Sequence, residues 1–206
     1  METKEIRSFD CEFRAEQNED HGHYIVGRPI VFNTRTDLGW YDEIIDEGAL
    51  NNTDLKDVRL LVNHNTDMIP LARSRNNTEG STMQLIPIEG VGMDMRADLD
   101  TENNSDAKSL YSAVGRGDIS GMSFMFVVDA DAWDDVDSDH PTRHIRSIKR
   151  VMEVSAVTFP AYAQTSISAR GLSEALESAR ASLESVRAEQ REIERKRKLI
   201  QILSEI

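Results

Sequence analysis

The sequence is nearly free of cysteine. Cys11 stands alone among 206 residues, which excludes an internal disulfide and suits a reducing cytoplasm. Long apolar runs are missing too. Nothing approaches the roughly 18 consecutive apolar residues that a membrane-crossing helix needs, and Met1 to Glu5 carries no apolar segment of a secretory signal. The expectation is a soluble, intracellular protein with no membrane partner. Excess positive charge is a third absence. With 24 Lys+Arg against 37 Asp+Glu the net charge is −13, so a nucleic-acid partner gripped through its phosphates is not expected. Metal patterns are incomplete as well. If Asp129 opened a calcium loop, Trp133 would stand at the third ligand position and no glycine follows where the loop needs one. His21 and His23 form an i, i+2 pair without a third ligand nearby in the sequence. No metal and no cofactor is expected.

What is present divides unevenly. From Leu172 onward seven acids meet seven bases, so the whole −13 resides in residues 1–171. An apolar share of 39% with 30% charged residues fits a globular domain carrying a polar or helical extension. Residues 5 to 165 read mainly as short strands separated by polar turns: Tyr24 to Gly27, Pro29 to Asn33, Tyr41 into the turn at Gly48, Val58 to His64, Met83 to Ile88, and Gly92 to Leu99 with period-2 alternation. One helix is predicted around Ser105 to Gly115, capped by Ser105, with Ala107, Leu110, Tyr111 and Val114 on one face. Two longer strands follow, Ile119 to Val128 and about His144 to Thr158. The acidic segment Asp129 to His140 between them reads as the loop of a wide hairpin. After a break at Gly171, Leu172, Leu176, Ala179, Leu183, Val186, Gln190, Ile193 and Arg197 recur at alternating spacings of four and three, the pattern of a long amphipathic helix. Residues 1–171 are therefore read as one domain and 172–206 as a helical appendage, a coiled coil or docking tail.

Three residues carry candidate chemistry. Strand alternation puts Ser123 on one face with Ile119, Gly121, Met125 and Val127, while Met122, Phe124 and Phe126 point to the core. Gly121 beside it leaves room for another backbone to approach. His64 closes the apolar strand Leu60 to Asn63 and could accept a serine's proton and return it to a leaving amine. Glu153 interrupts the apolar run Val151 to Val157, and a carboxylate there must be paired or solvated. If the hairpin centres near Ser138, Ser123 lies opposite or diagonal to Glu153, where an acid could orient an imidazole. Each residue has a plainer alternative: a strand serine bonded to its neighbour, a strand-end histidine, and a glutamate ion-paired to Arg146, Lys149 or Arg150.

Four segments taken together resemble the prohead protease family of tailed phages, related in fold to herpesvirus assembly proteases: Tyr41 to Leu50, Leu60 to Asn65, Gly117 to Phe124, and Glu153 to Tyr162. Their order spans most of residues 20–170. The resemblance implies an α+β fold with a β-barrel-like core of mainly antiparallel strands, flanking helices and a long C-terminal helix. It implies a serine endopeptidase with Ser123 as nucleophile and His64 as base. Glu153 stands where the herpesvirus branch has a second histidine, which makes it the orienting acid. Pro160, Ala161 and Tyr162 replace the arginines of that branch near the oxyanion site. The implied partners are the major capsid protein and the scaffold protein, with self-cleavage, inside an assembling procapsid in the host bacterial cytoplasm; a homo-oligomer is also compatible. Two rivals are a non-catalytic scaffold or capsid-assembly protein acting through the C-terminal helix, and a metal-dependent hydrolase built on His21, His23, His140 or His144.

Overall fold

The computed structural model describes residues 3–159 and 166–204. Its strands, in chain order, are β1 (Glu5–Asp10), β2 (Arg14–Asn18), β3 (Gly22–Val31), β4 (Thr36–Asp37), β5 (Asp42–Ile45), β6 (Val58–Val62), β7 (Ala72–Ser74), β8 (Met83–Ile88), β9 (Gly92–Asp98), β10 (Gly121–Asp134) and β11 (Thr142–Val157). Helix α1 (Ser105–Gly115) precedes β10 and α2 (Ser166–Ser204) follows β11.

The fold is α+β, but the strands do not close into a barrel. They form a seven-stranded and a four-stranded sheet, both open. The reason lies in β11, which is 16 residues long. One of its edges takes β10 antiparallel, and the other is shared by two short parallel strands, β5 along Thr142–Ile145 and β6 along Glu153–Ala156. The first sheet therefore branches at β11 and stops at β1, β4 and β7, while the second runs β2-β3-β9-β8 and stops at β2 and β8. Between the sheets lies the core. Met122, Phe124 and Phe126 of β10 meet Ile25, Ile30, Met83, Met93 and Met95, all buried. Gly27 on β3 has no room for a side chain, since an added Cβ would stand 2.5 Å from Met122 Sδ. That glycine lets β3 pass close over β10.

Several elements differ from the sequence reading. Helix α1 occupies the expected residues, but its cap is Asn104, whose side chain accepts from the backbone N–H of Asp106 and Ala107. The acidic segment is half strand. Strand β10 continues to Asp134 because Asp131 is taken up by Arg143 and Ser182, and Trp133 packs on Tyr41. Helix α2 begins at Ser166 and runs through Gly171, so the glycine marks no break. Ala175, Ala179 and Leu183 of α2 are buried; Ala179 and Leu183 share a cluster with Tyr41, Trp133 and Val136. From Ala188 to Ser204 every residue is exposed. None of the helices described is long and apolar enough to cross a membrane.

Candidate functional site

The site gathers on the face of the large sheet turned away from the core. Ser8 of β1, Ser123 of β10 and Ser155 of β11 stand in one row of the ladder, so their side chains share a face. Glu153, two residues before Ser155, shares it too. It sits diagonally from Ser123, because its direct partner is Met125. Of the two placements expected from a hairpin centred near Ser138, opposite or diagonal, the register gives the diagonal one. Bulges after Met125 then break the alternation, which buries Val127 as well as Phe126.

His64 reaches this face by a backbone device. Leu60 and Val62 point to the core, and a strand continued to residue 64 would send His64 there as well. Instead Asn63 and His64 both take left-handed backbone angles, with φ of 50° and 58°. Such a conformation is unfavourable for a residue with a Cβ, by about 1–3 kcal/mol. Surrounding bonds hold it. Asn63 N–H donates to Ala156 O at 2.9 Å, and its side-chain amide exchanges two bonds with Thr158, at 3.1 and 3.0 Å. The turn swings the imidazole back over β11.

There His64 Nδ1 lies 2.6 Å from Glu153 Oε1. The second carboxylate oxygen accepts from Ser155 Oγ at 2.5 Å, and Ser155 Oγ in turn accepts from His64 N–H at 3.1 Å. Glu153 is thus engaged by His64 and Ser155, and Arg146 pairs with Asp46 instead. With a carboxylate on Nδ1, a neutral imidazole carries its proton on that nitrogen and its lone pair on Nε2. Nε2 is buried and has no hydrogen-bond partner among the described residues.

Ser123 is not bonded to His64. Its hydroxyl donates to Arg7 O at 2.7 Å and accepts from Ser8 Oγ at 2.9 Å. The face expected to be open is covered: Ser123 is 0% and His64 3% exposed. Pro160, Ala161 and Tyr162, expected near the oxyanion, lie outside the described residues. Beside the His64 turn a cleft of about 610 Å³ opens toward α1, lined by Val62, Asn63, Asn65, Met68, Asp106, Ser109, Leu110, Ala113 and Ile119.

The other histidines are dispersed. His21 lies near Asp98, His23 meets Thr101, and His144 bridges Asp46 and Asp134. His140 comes within metal-ligand reach of Asp37 and Asp42. Arg35 already holds Asp42 at 2.6 Å, which works against a cation there, and with His140 it keeps the Asp42 carboxyl below its ordinary range. Ser8 and Ser155 escaped the sequence reading. The signal for Ser155 was its i, i+2 spacing from Glu153, which puts both on one strand face.

The class to which the chain belongs follows from comparison with protein families: it is a serine peptidase. In particular, a model of the caudovirus prohead serine protease matches residues 9–178, and the chain belongs to that family. The match contains His64, Ser123, Glu153 and Ser155. No curated protein and no solved structure matches the chain. Membership makes this a phage capsid maturation protease, acting on the procapsid within a host cell and meeting capsid proteins there.

Proposed function

We propose that the chain is the endopeptidase that cleaves scaffold, the N-terminal segment of the major capsid protein, or both, and also itself, with Ser123 as nucleophile, His64 as general base and Glu153 as the acid that orients it. One observation carries this reading. The Glu153–His64 contact directs the imidazole's basic nitrogen into a buried space without a partner, on the sheet face that also bears Ser123. Buried polar atoms are seldom left without a partner, and we infer that this one is kept for the proton of Ser123.

In the proposed reaction Ser123 rotates from Arg7 O toward Nε2. Its oxygen attacks the scissile carbonyl carbon as the proton passes to Nε2. The tetrahedral intermediate collapses, the C–N bond breaks, and the Nε2 proton goes to the leaving amine. Water then attacks the acyl-enzyme, giving its proton to Nε2, and Ser123 regains a proton as the new carboxylate departs. Glu153 stabilises the imidazolium throughout and stays ionised. The absence of a Ser123–His64 bond in the resting chain is compatible with this, since such bonds often tighten only with substrate bound. We assign the chemistry to residues 1–171 and docking to the helix from 172. The apolar side chains that α2 exposes between Ile193 and Leu203 suit a scaffold or capsid helix or a second copy.

The test is co-expression with the capsid protein of the same genome, together with labelling by a fluorophosphonate, which phosphonylates an activated serine and releases fluoride. Wild type should cut and carry the adduct on Ser123; Ser123→Ala should do neither. Cleavage that persists in Ser123→Ala removes the nucleophile assignment. If wild type neither cuts nor labels, the non-catalytic assembly reading replaces this one.

A further inference from the structure

We propose that Ser155 is a positioning residue for this reaction, holding both the acid and the base in the one arrangement that lets the imidazole act. The inference rests on the reading of His64 and Glu153 given above.

A hydroxyl offers one proton and two lone pairs. Ser155 directs its proton to Glu153 Oε2 at 2.5 Å and takes the backbone N–H of His64 at 3.1 Å on a lone pair. One side-chain oxygen therefore grips the carboxylate of the acid and the main chain of the base. Both need it. The terminal torsion of a glutamate is broad, so Oε1 stays on Nδ1 only if Oε2 is also held. The backbone N–H of His64 has no strand carbonyl to take, because the left-handed turn begins at Asn63, whose own N–H uses Ala156 O. Ser155 is 0% exposed, so bulk solvent does not supply the missing bonds, and a buried donor or acceptor left alone is costly.

The same geometry separates the two neighbouring serines. Ser155 is the ladder partner of Ser123, yet its proton is committed to the carboxylate and not available to Nε2. A serine locked to the acid positions the base; the serine beside it has no tie to the acid and can turn once its bonds to a carbonyl and another hydroxyl are broken.

The experiment compares Ser155→Thr with Ser155→Val, a nearly isosteric pair differing in the hydroxyl, by the rate of fluorophosphonate labelling in the full-length chain. Threonine should label within about threefold of wild type and valine at least about tenfold more slowly, as expected for loss of a bond to a charged group. Valine should melt lower than threonine, since it leaves Glu153 Oε2 and the His64 N–H unpaired, so labelling is compared at a temperature where both are folded. Repeating the comparison in a Glu153→Gln background should shrink the threonine–valine difference to under about threefold, since residues acting through one another are not additive. Equal labelling of the pair, or a difference undiminished by Glu153→Gln, overturns the proposal and leaves a packing role. If the branched variants do not fold, Ser155→Ala against wild type in both Glu153 backgrounds gives the same comparison. An adduct on Ser155, or normal labelling of Ser123→Ala, would instead overturn the underlying reading of the site.

Discussion

Strands β1, β10 and β11 build two polar clusters. Toward one end Glu5, Arg7, Glu43 and Arg143 are buried together. Arg7 meets Glu43 through two nitrogens and Glu5 through a third contact at 2.7 Å, and Arg143 reaches Glu5, Glu43 and Asp131. Burial opposes the charge on each arginine, but Glu43 and Glu5 outweigh it and raise both above the ordinary range. Burial also pushes the neighbouring Tyr41 hydroxyl up to about 12. No charged atom of these two glutamates and two arginines is left without a partner among the described residues. At the other end Ser123, Glu153, Ser155 and His64 are equally buried, yet there Nε2 of His64 has none. Both clusters obey the rule that buried polar groups are paired. Trp40 Nε1, Tyr41 OH and Arg96 Nε also lack a partner among the described residues; His64 Nε2 differs from them in that a neutral imidazole nitrogen can take up a proton, which is why we propose the chemistry for its cluster.

The comparison is most directly broken at its reactive end. His64→Ala should lower turnover about 10²–10⁴-fold, the usual contribution of a general base, when capsid-protein cleavage is followed over time. The fold should survive, at a cost of about 1–3 kcal/mol for the Glu153 oxygen left unpaired. Near-normal turnover would remove His64 from the mechanism. Arg143→Met should behave in the opposite way. Two carboxylates then share one buried arginine, and breaking a buried ion pair costs about 3–5 kcal/mol, which denaturant titration would read. Labelling of Ser123 in the fraction that remains folded should stay within a few-fold of wild type. If Arg143→Met silenced a fully folded chain, the two clusters would be one functional unit. Glu153→Gln comes next, with a smaller loss of turnover than His64→Ala because the base remains. Loss of stability with turnover unchanged would assign Glu153 to the structural kind of cluster.

How far this contrast could be read from sequence depends on distance along the chain. Ser123 and Glu153 are legible because each interrupts an apolar strand, and strand alternation then assigns faces; His64 is legible only as the polar end of one. That Glu153 lies opposite or diagonal to Ser123 follows from the hairpin alone, since hairpin register is local; which of the two it is does not. Ser155 was within reach on the same logic. Arg143 with Glu5 was not, because their meeting depends on β1 adding to β10, a pairing no local pattern specifies. The open sheets are hidden for a related reason: nothing in the short runs of β5 and β6 says that both will lie parallel along one edge of β11. The turn at Asn63 and His64 was hidden too, since a left-handed histidine has no compositional signature. The long helix is plain from its heptads, but its passage through Gly171 is not, because burial of Ala179 and Leu183 against Trp133 overrides the local penalty of a glycine.

The smallest effect is expected where the two clusters are joined. Strand β1 enters the ionic cluster with Glu5 and Arg7, and with its next residue, Ser8, it touches Ser123. The Ser8 hydroxyl donates to Ser123 Oγ at 2.9 Å while the carbonyl of Arg7 accepts from it at 2.7 Å. Turning Ser123 toward His64 disrupts both bonds. A hydrogen bond between neutral groups contributes about 0.5–1.5 kcal/mol, so Ser8→Ala should raise the rate of fluorophosphonate labelling by up to about tenfold, leaving the Arg7 carbonyl as the remaining restraint. Stability should change little, because the small, partly buried Ser8 side chain leaves no deep cavity. A fall in labelling would mean that Ser8 assists the nucleophile, and β1 would then belong to the reactive cluster as much as to the ionic one. A rise would make β1 the point at which a fully paired polar cluster restrains an incompletely paired one.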